Sequence, residues 1–172
     1  MLVALNCFLS FIDKADCKVR QLKIQRQIFA REDRELTKTE YRRLVTAAKG
    51  SRISLVIQTI CGTGIRVSEL KFFTVEAIRR GEVTVQCKSK TRTILVPGKL
   101  KKLLLSYAKE RSIRSGTIFI TKTGKPLDRS NIWAQMKRLC HAANVNPSKV
   151  FPHNLRKLFA RTFYGIEKDI AK

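Results

Sequence analysis

Acidic residues are scarce in this sequence: 13 Asp and Glu stand against 36 Lys and Arg over 172 residues, a formal net charge of +23. So large an imbalance gathers polyanions, which narrows the partners to nucleic acid or an anionic membrane. Long apolar runs are missing too. No stretch approaches the roughly 18 apolar residues of a spanning helix. The opening MLVALNCFLSFI is broken by Asn6 and Ser10 and followed by Asp13. It also lacks the basic flank and small-residue cleavage pattern of a secretory leader. The sequence therefore reads as a soluble, intracellular protein, with nucleic acid the better of the two polyanions. Metal-ligand spacing is absent: Cys7, Cys17, Cys61, Cys87 and Cys140 do not cluster, and His141 beside Cys140 points elsewhere on a helix. Each cysteine lies in or beside an apolar stretch and reads as a small core hydrophobe. There is no internal repeat and no low-complexity tract. The hydrophobic content, 44%, supports one packed domain and part of another and excludes a disordered polycation.

What is present reads as mostly helical. Residues 5–12 and about 18–30 have helical patterning, and the charged AREDREL reads as a linker. The first thirty-odd residues are too few for a core of their own. Thr37 and Glu40 form a capping-box signature for a helix ending at Gly50. Residues 52–61, RISLVIQTIC, read as a buried helix broken by the GTG at 62–64, after which RVSELKFF opens another. The alternation of EVTVQCKSKTRTILV, 82–96, predicts two antiparallel strands turning near Ser89. An amphipathic helix follows over 100–112. GTIFI at 116–120 reads as a third strand of the same small sheet. Asp128 and Ser130 cap a helix to about Ala143, and Pro152 opens the last one. The expected fold class is mainly α with a three-stranded antiparallel sheet.

Three positions carry possible chemistry. Arg66 follows the glycine-rich break, where a planar guanidinium beside a tight turn can bind a phosphate with two parallel hydrogen bonds. Glu69 either holds that arginine by a salt bridge or orients the neighbouring backbone. His153 and Arg156 lie one helical turn apart and face one substrate; histidine exchanges a proton near neutral pH and arginine neutralises charge. Lys88 and Lys90 lie at the hairpin tip, where a lysine reaches a DNA groove and either protonates a leaving oxygen or touches phosphate. Arg92, Lys99, Lys101 and Lys102 read as DNA-backbone-contacting charge. Singly, Arg66 and the His153–Arg156 pair are read more readily as ordinary helix surface.

Together, in chain order, GTGIRVSEL, the CKSKTR hairpin running into LVP, and HNLRKLFA resemble the catalytic domain of the tyrosine recombinase (phage integrase) family, over about residues 35–172. The resemblance implies a catalytic set of Arg66, Lys88, His153 and Arg156 supported by Glu69, with Lys90 competing for the hairpin lysine. It implies cleavage and rejoining of double-stranded DNA through a 3′-phosphotyrosyl intermediate, with neither metal nor nucleotide cofactor. The two arginines would stabilise the phosphate, and lysine and histidine would serve proton transfer. Residues 1–34 then look like a remnant and linker of the family's core-binding domain. A bacterial, cytoplasmic and nucleoid-associated location is implied as well. A ribosome-associated or other RNA-binding protein would account for the charge but not for these spacings.

The sequence also departs from the family. Members continue past His-x-x-Arg to a second histidine or tryptophan and then to the nucleophilic tyrosine. Arg156 stands sixteen residues before the last residue of this sequence. Tyr164 reads as core packing with Phe159 and Phe163, and Tyr41 and Tyr107 as structural. The expectation is a chain with no nucleophile of its own, which binds DNA without cutting it: either a fragment of an active recombinase or a naturally short binder or regulator. The tetramers that complete members form on DNA are in doubt for it. Apolar surface is expected around Phe159 and Phe163.

Overall fold

In the computed structural model, which describes residues 2–19, 34–87, 90–121 and 123–166, the first element is α1 (Leu2–Phe11), followed by a 3-10 turn at Ala15–Cys17. The chain separates into two compact units, Met1–Ala30 and Arg31–Lys172. The helix expected near 18–30 lies almost wholly outside the described residues. Cys7 and Cys17 are exposed, against the core role read from sequence. A single helix and one turn, among the described residues, offer no second apolar layer to cover them.

In the second unit the capping box closes. The Glu40 N–H donates to Thr37 Oγ1 (3.1 Å) and the Thr37 N–H to Glu40 Oε2 (2.8 Å), starting α2 (Lys38–Ala47). The next helix, α3 (Arg52–Thr63), runs two residues further than its sequence suggested, with Gly62 still helical. The break comes at Gly64, whose φ of 65° is the left-handed value that ends helices. Residues 67–72 form a 3-10 segment (Val67–Phe72) rather than an α-helix. A short helix that the sequence reading lacked, α4 (Val75–Arg80), is capped by Thr74 Oγ1, which accepts from the Ala77 N–H (3.2 Å), and ends at Gly81. Strands β1 (Glu82–Cys87) and β2 (Lys90–Leu95) pair antiparallel from Glu82↔Leu95 to Cys87↔Lys90. Then come α5 (Gly98–Glu110), α6 (Arg129–Ala142), a 3-10 turn at Pro147–Lys149, and α7 (Pro152–Ile166). Asp128 alone caps α6, accepting from the N–H groups of Ser130 (2.8 Å) and Asn131 (3.3 Å); Ser130 lies in the first turn.

The third strand is a correction. Among the described residues the sheet has two strands. Residues 116–120 pair instead with the connection ahead of α4: the Val75 N–H donates to Gly116 O and the Ile118 N–H to Phe73 O, each at 2.9 Å. Only isolated bridges result, Thr74↔Thr117 and Ile120↔Pro126. Ile118 and Phe119 are both buried, so this segment lacks the one-sided alternation of a sheet edge.

The core is built around α3, which is buried along most of its length from Ile53 to Ile60 and packs against α7, α5, α2 and α6. Ile57, Ile60, Ile65, Phe73, Leu104, Phe119 and Met136 are almost fully buried, each contributing about 1.5–3 kcal/mol. The start of α7 is held by buried Asn154, whose Nδ2 donates to Arg34 O (2.8 Å) and Lys149 O (2.9 Å). Leu36 is fully buried and Glu35 pairs with Lys157 and Arg161, so the end of the supposed linker packs as part of this unit. No helix among the described residues is long and apolar enough to cross a membrane.

Candidate functional site

The residue after the left-handed Gly64, Ile65, is fully buried, and this anchor turns Arg66 outward at the mouth of a cleft. The start of α7 contributes Pro152, His153 and Arg156 to its wall, and the first turn of α6 contributes Arg129. The cleft has a volume of about 240 Å³ and is lined by Arg66, Val67, Ser68, Arg129, Pro152, His153 and Arg156. Three of the four sequence candidates for catalysis that are charged or titratable therefore meet here: Arg66, His153 and Arg156. Their separation along the chain is bridged by α3 packing on α7.

Beneath this wall lies Glu69, only 2% exposed. Its Oε2 accepts from the Arg66 N–H (2.7 Å) and from Arg92 Nη2 (2.7 Å), and its Oε1 from Arg66 Nη1 (3.3 Å). Both alternatives read for Glu69 hold, salt bridge and backbone orientation together. Burial would raise its carboxyl, but the Arg66 backbone N–H and the Arg92 charge and hydrogen bond outweigh burial and hold it below the usual carboxylate range. Arg156 is fixed on the other side, its Nε donating to Gly64 O (2.8 Å). Burial and then the neighbouring Arg66 charge lower its guanidinium from its ordinary value, with Arg92 adding and Glu69 opposing. Guanidinium groups that press on one another in this way form a site short of anionic charge, which a phosphate would supply.

Arg92 does not stand on the outer face of the hairpin. It pairs across the sheet with Val85, in phase with the buried pair Val83↔Ile94. That alternation, Arg92–Ile94–Val96, was visible in the sequence and marks Arg92 as inward-facing. Lys101 is engaged at the surface, its ammonium donating to Arg79 O (2.6 Å) at the end of α4. Lys99 and Lys102 are exposed and do not line the cleft. Lys88 lies outside the described residues; Lys90 pairs with Cys87 through its backbone, and its side chain is likewise outside them. Arg129 was missed, because nothing local distinguishes an arginine after an N-cap; only the folding of α6 against α3 brings it near.

None of the three tyrosines lines the cleft. Tyr41 borders a separate apolar groove, Tyr107 a hollow beside α5, and Tyr164, which was read as core, is 65% exposed. On α7 the core positions are Leu155 and Leu158, so Phe163 and Tyr164 fall on the outer side.

The Phage integrase family profile matches residues 34–171. The chain is 31% identical over 136 residues to the tyrosine recombinase XerA of Pyrococcus furiosus, which covers 74% of this chain and 46% of XerA. It is 30% identical over 129 residues to the tyrosine recombinase XerD of Chlamydia trachomatis, covering 70% of this chain and 42% of XerD. The chain thus spans less than half the length of these relatives. The crystal structure of XerA recombinase matches with a TM-score of 0.66 at 23% identity, over 94% of this chain and 58% of that one. The Tn1549 transposon integrase in complex with a circular intermediate DNA reaches 0.74 at 15% identity, over 96% and 65%. At these identities the structural likeness is one of fold: helices around a small antiparallel hairpin.

Proposed function

The chain belongs to the phage integrase family, and on that footing we propose that its second unit grips a phosphodiester of double-stranded DNA in the Arg66–Arg156 cleft. The observation that carries this reading is the convergence of Arg66, Arg129, His153 and Arg156 on one cleft, above a single buried carboxylate. Arg66 and Arg156 bind the non-bridging oxygens and neutralise the charge that grows there when phosphorus becomes five-coordinate. His153, exposed at the rim, exchanges a proton with the reacting oxygens. Lys88 or Lys90 protonates the 5′-oxygen as it leaves.

In the complete recombinase a tyrosine oxygen attacks phosphorus, the bond to the 5′-oxygen breaks, and a 3′-phosphotyrosyl link holds the strand end. Attack by a 5′-hydroxyl reverses the step, so the phosphodiester is conserved without a cofactor. With no tyrosine lining the cleft, the 172 residues by themselves bind without cutting, and the nucleophile comes from outside them. The first unit, in this reading, corresponds to part of a core-binding domain. Regulation of a full-length recombinase is the alternative role for such a binder.

Binding of a short fluorescein-labelled duplex, followed by anisotropy, tests this. Arg66→Ala and Arg156→Ala should each weaken binding by about tenfold or more, the effect of losing a charge-assisted contact. Lys99→Ala and Lys102→Ala should change it by less than about threefold. Equal losses from all four variants, or none from the arginines, would refute a specific phosphate site.

A further inference from the structure

We infer that Arg92 is a positioning residue for the cleft: it shares the buried Glu69 carboxylate with Arg66, which keeps Arg66 free to face a phosphate and ties the hairpin to the cleft wall. The inference rests on the phosphate-binding reading and adds to it a residue that touches no ligand.

Glu69 has one negative charge and two guanidinium partners, and the contacts are unequal. Arg92 Nη2 stands 2.7 Å from Oε2, whereas Arg66 Nη1 stands 3.3 Å from Oε1. The short charge-assisted bond goes to the hairpin; the Arg66 side chain is held loosely and remains 52% exposed toward the cleft. What Glu69 holds firmly of Arg66 is its backbone, through the 2.7 Å bond from the Arg66 N–H. That bond fixes where the side chain starts without consuming its charge.

Without Arg92 the balance changes. A carboxylate this buried demands a cationic partner, and the one within reach is Arg66. The guanidinium would close onto Glu69 as a neutral pair, and the cleft would lose the cation that the phosphate needs. With Arg92 present, Arg66, Arg92 and Glu69 together carry one net positive charge, two cations less one anion. The hairpin register supports a built role. Arg92 stands opposite Val85 on the face that carries Val83 and Ile94 inward, so the strand delivers its guanidinium to Glu69 by ordinary pleat geometry. The same bond joins β2 to the Val67–Phe72 segment, two elements distant in sequence.

A double-mutant cycle with Glu69→Gln, read by anisotropy on the same labelled duplex, separates positioning from direct contact. Arg92→Met should weaken binding by about tenfold when Glu69 is intact and by less than about twofold in the Glu69→Gln background. The pH profile gives a readout that a loss of structure would not move. In Arg92→Met, affinity should recover only as pH falls below the usual carboxylate range, where Glu69 is protonated and releases Arg66, and this step should be absent from the Glu69→Gln double variant. Equal losses in both backgrounds, no loss with Glu69 intact, or no acid recovery would each overturn the inference. Should Arg92→Met fail to fold, Arg92→Lys takes its place in the cycle. It keeps the charge, so a direct contact retains affinity in both backgrounds, whereas a positioning role loses several-fold only where Glu69 is present. Arg66→Ala serves as the gauge. If it binds as the wild type does, the phosphate-binding reading itself fails, whatever Arg92 does.

Discussion

His153 and Arg156 bring the start of α7 to the charged cleft, while Leu158, Phe159 and Phe163 on the same helix line an apolar groove of about 480 Å³ shared with Tyr41 and Cys61. The two regions are held in different ways. In the cleft several charged groups are held by partners within the protein: Glu69 by Arg66 and Arg92, and Arg156 by the Gly64 carbonyl. In the groove, burial dominates, pushing the Tyr41 hydroxyl up, with the neighbouring Cys61 adding, and the Cys61 thiol up to about 11, with Tyr41 opposing. A buried charge without partners is costly, so a polar site has to be assembled before its ligand arrives. An apolar groove needs only exclusion of water, and Phe163 and Tyr164 remain exposed at its end.

Gly64 is where the regions meet, and changing it breaks both at once. A Cβ there would stand 2.5 Å from Phe159 Cδ1, at a backbone φ of 65° that side chains other than glycine rarely adopt. Gly64→Ala should cost about 3 kcal/mol or more in stability and weaken duplex binding together with it, because the displaced carbonyl is the one that fixes Arg156. Chemical denaturation with anisotropy on the same protein checks this. A variant that keeps one property and loses the other would show that the regions are independent.

Next in size is the carboxylate. Glu69→Ala leaves three guanidinium groups facing one another and should cost about 2 kcal/mol, moderated by the exposure of Arg66 and Arg92. The pH dependence has a definite sign. The carboxyl is depressed in the folded protein, so its stabilisation is present above the unfolded value of 4.5 and is lost as pH falls through the folded value below it. Melting temperatures measured downward from pH 5 should fall less steeply for Glu69→Gln than for the wild type. Parallel curves would remove Glu69 from the account of the cleft.

The smallest effect belongs to the groove. Phe163→Ser, at a side chain 44% exposed, should change stability by less than about 1 kcal/mol and leave duplex affinity unchanged. It should reduce self-association measured by sedimentation, since it removes exposed apolar surface. Altered DNA binding would tie the groove to the cleft more closely than their separate linings imply.

How much of this was legible in the sequence follows from the range of the interactions. His153 and Arg156 could be paired from helical spacing alone, and Thr37 with Glu40 from a cap three residues long. Arg66 and Glu69 were also local. Arg129 required the packing of α6, which no local pattern encodes. Arg92 was read as backbone-contacting charge from net charge alone; its alternation with Ile94 and Val96 turns its guanidinium to Glu69 while the side chain stays 47% exposed. The segment 116–120 had strand composition, but its hydrogen-bonding partners, Phe73 and Val75, lie far from it in sequence, and they took it away from the sheet. Tyr164 was placed in the core by its neighbours rather than by helical phase, which points it outward.

The most direct test of the central claim is the salt dependence of duplex binding by the full chain, compared with Arg156→Ala. If Arg156 neutralises one phosphate, the slope of log K against log salt should become shallower by about one unit while the protein stays folded. An unchanged slope in a folded variant would contradict a phosphate site in this cleft.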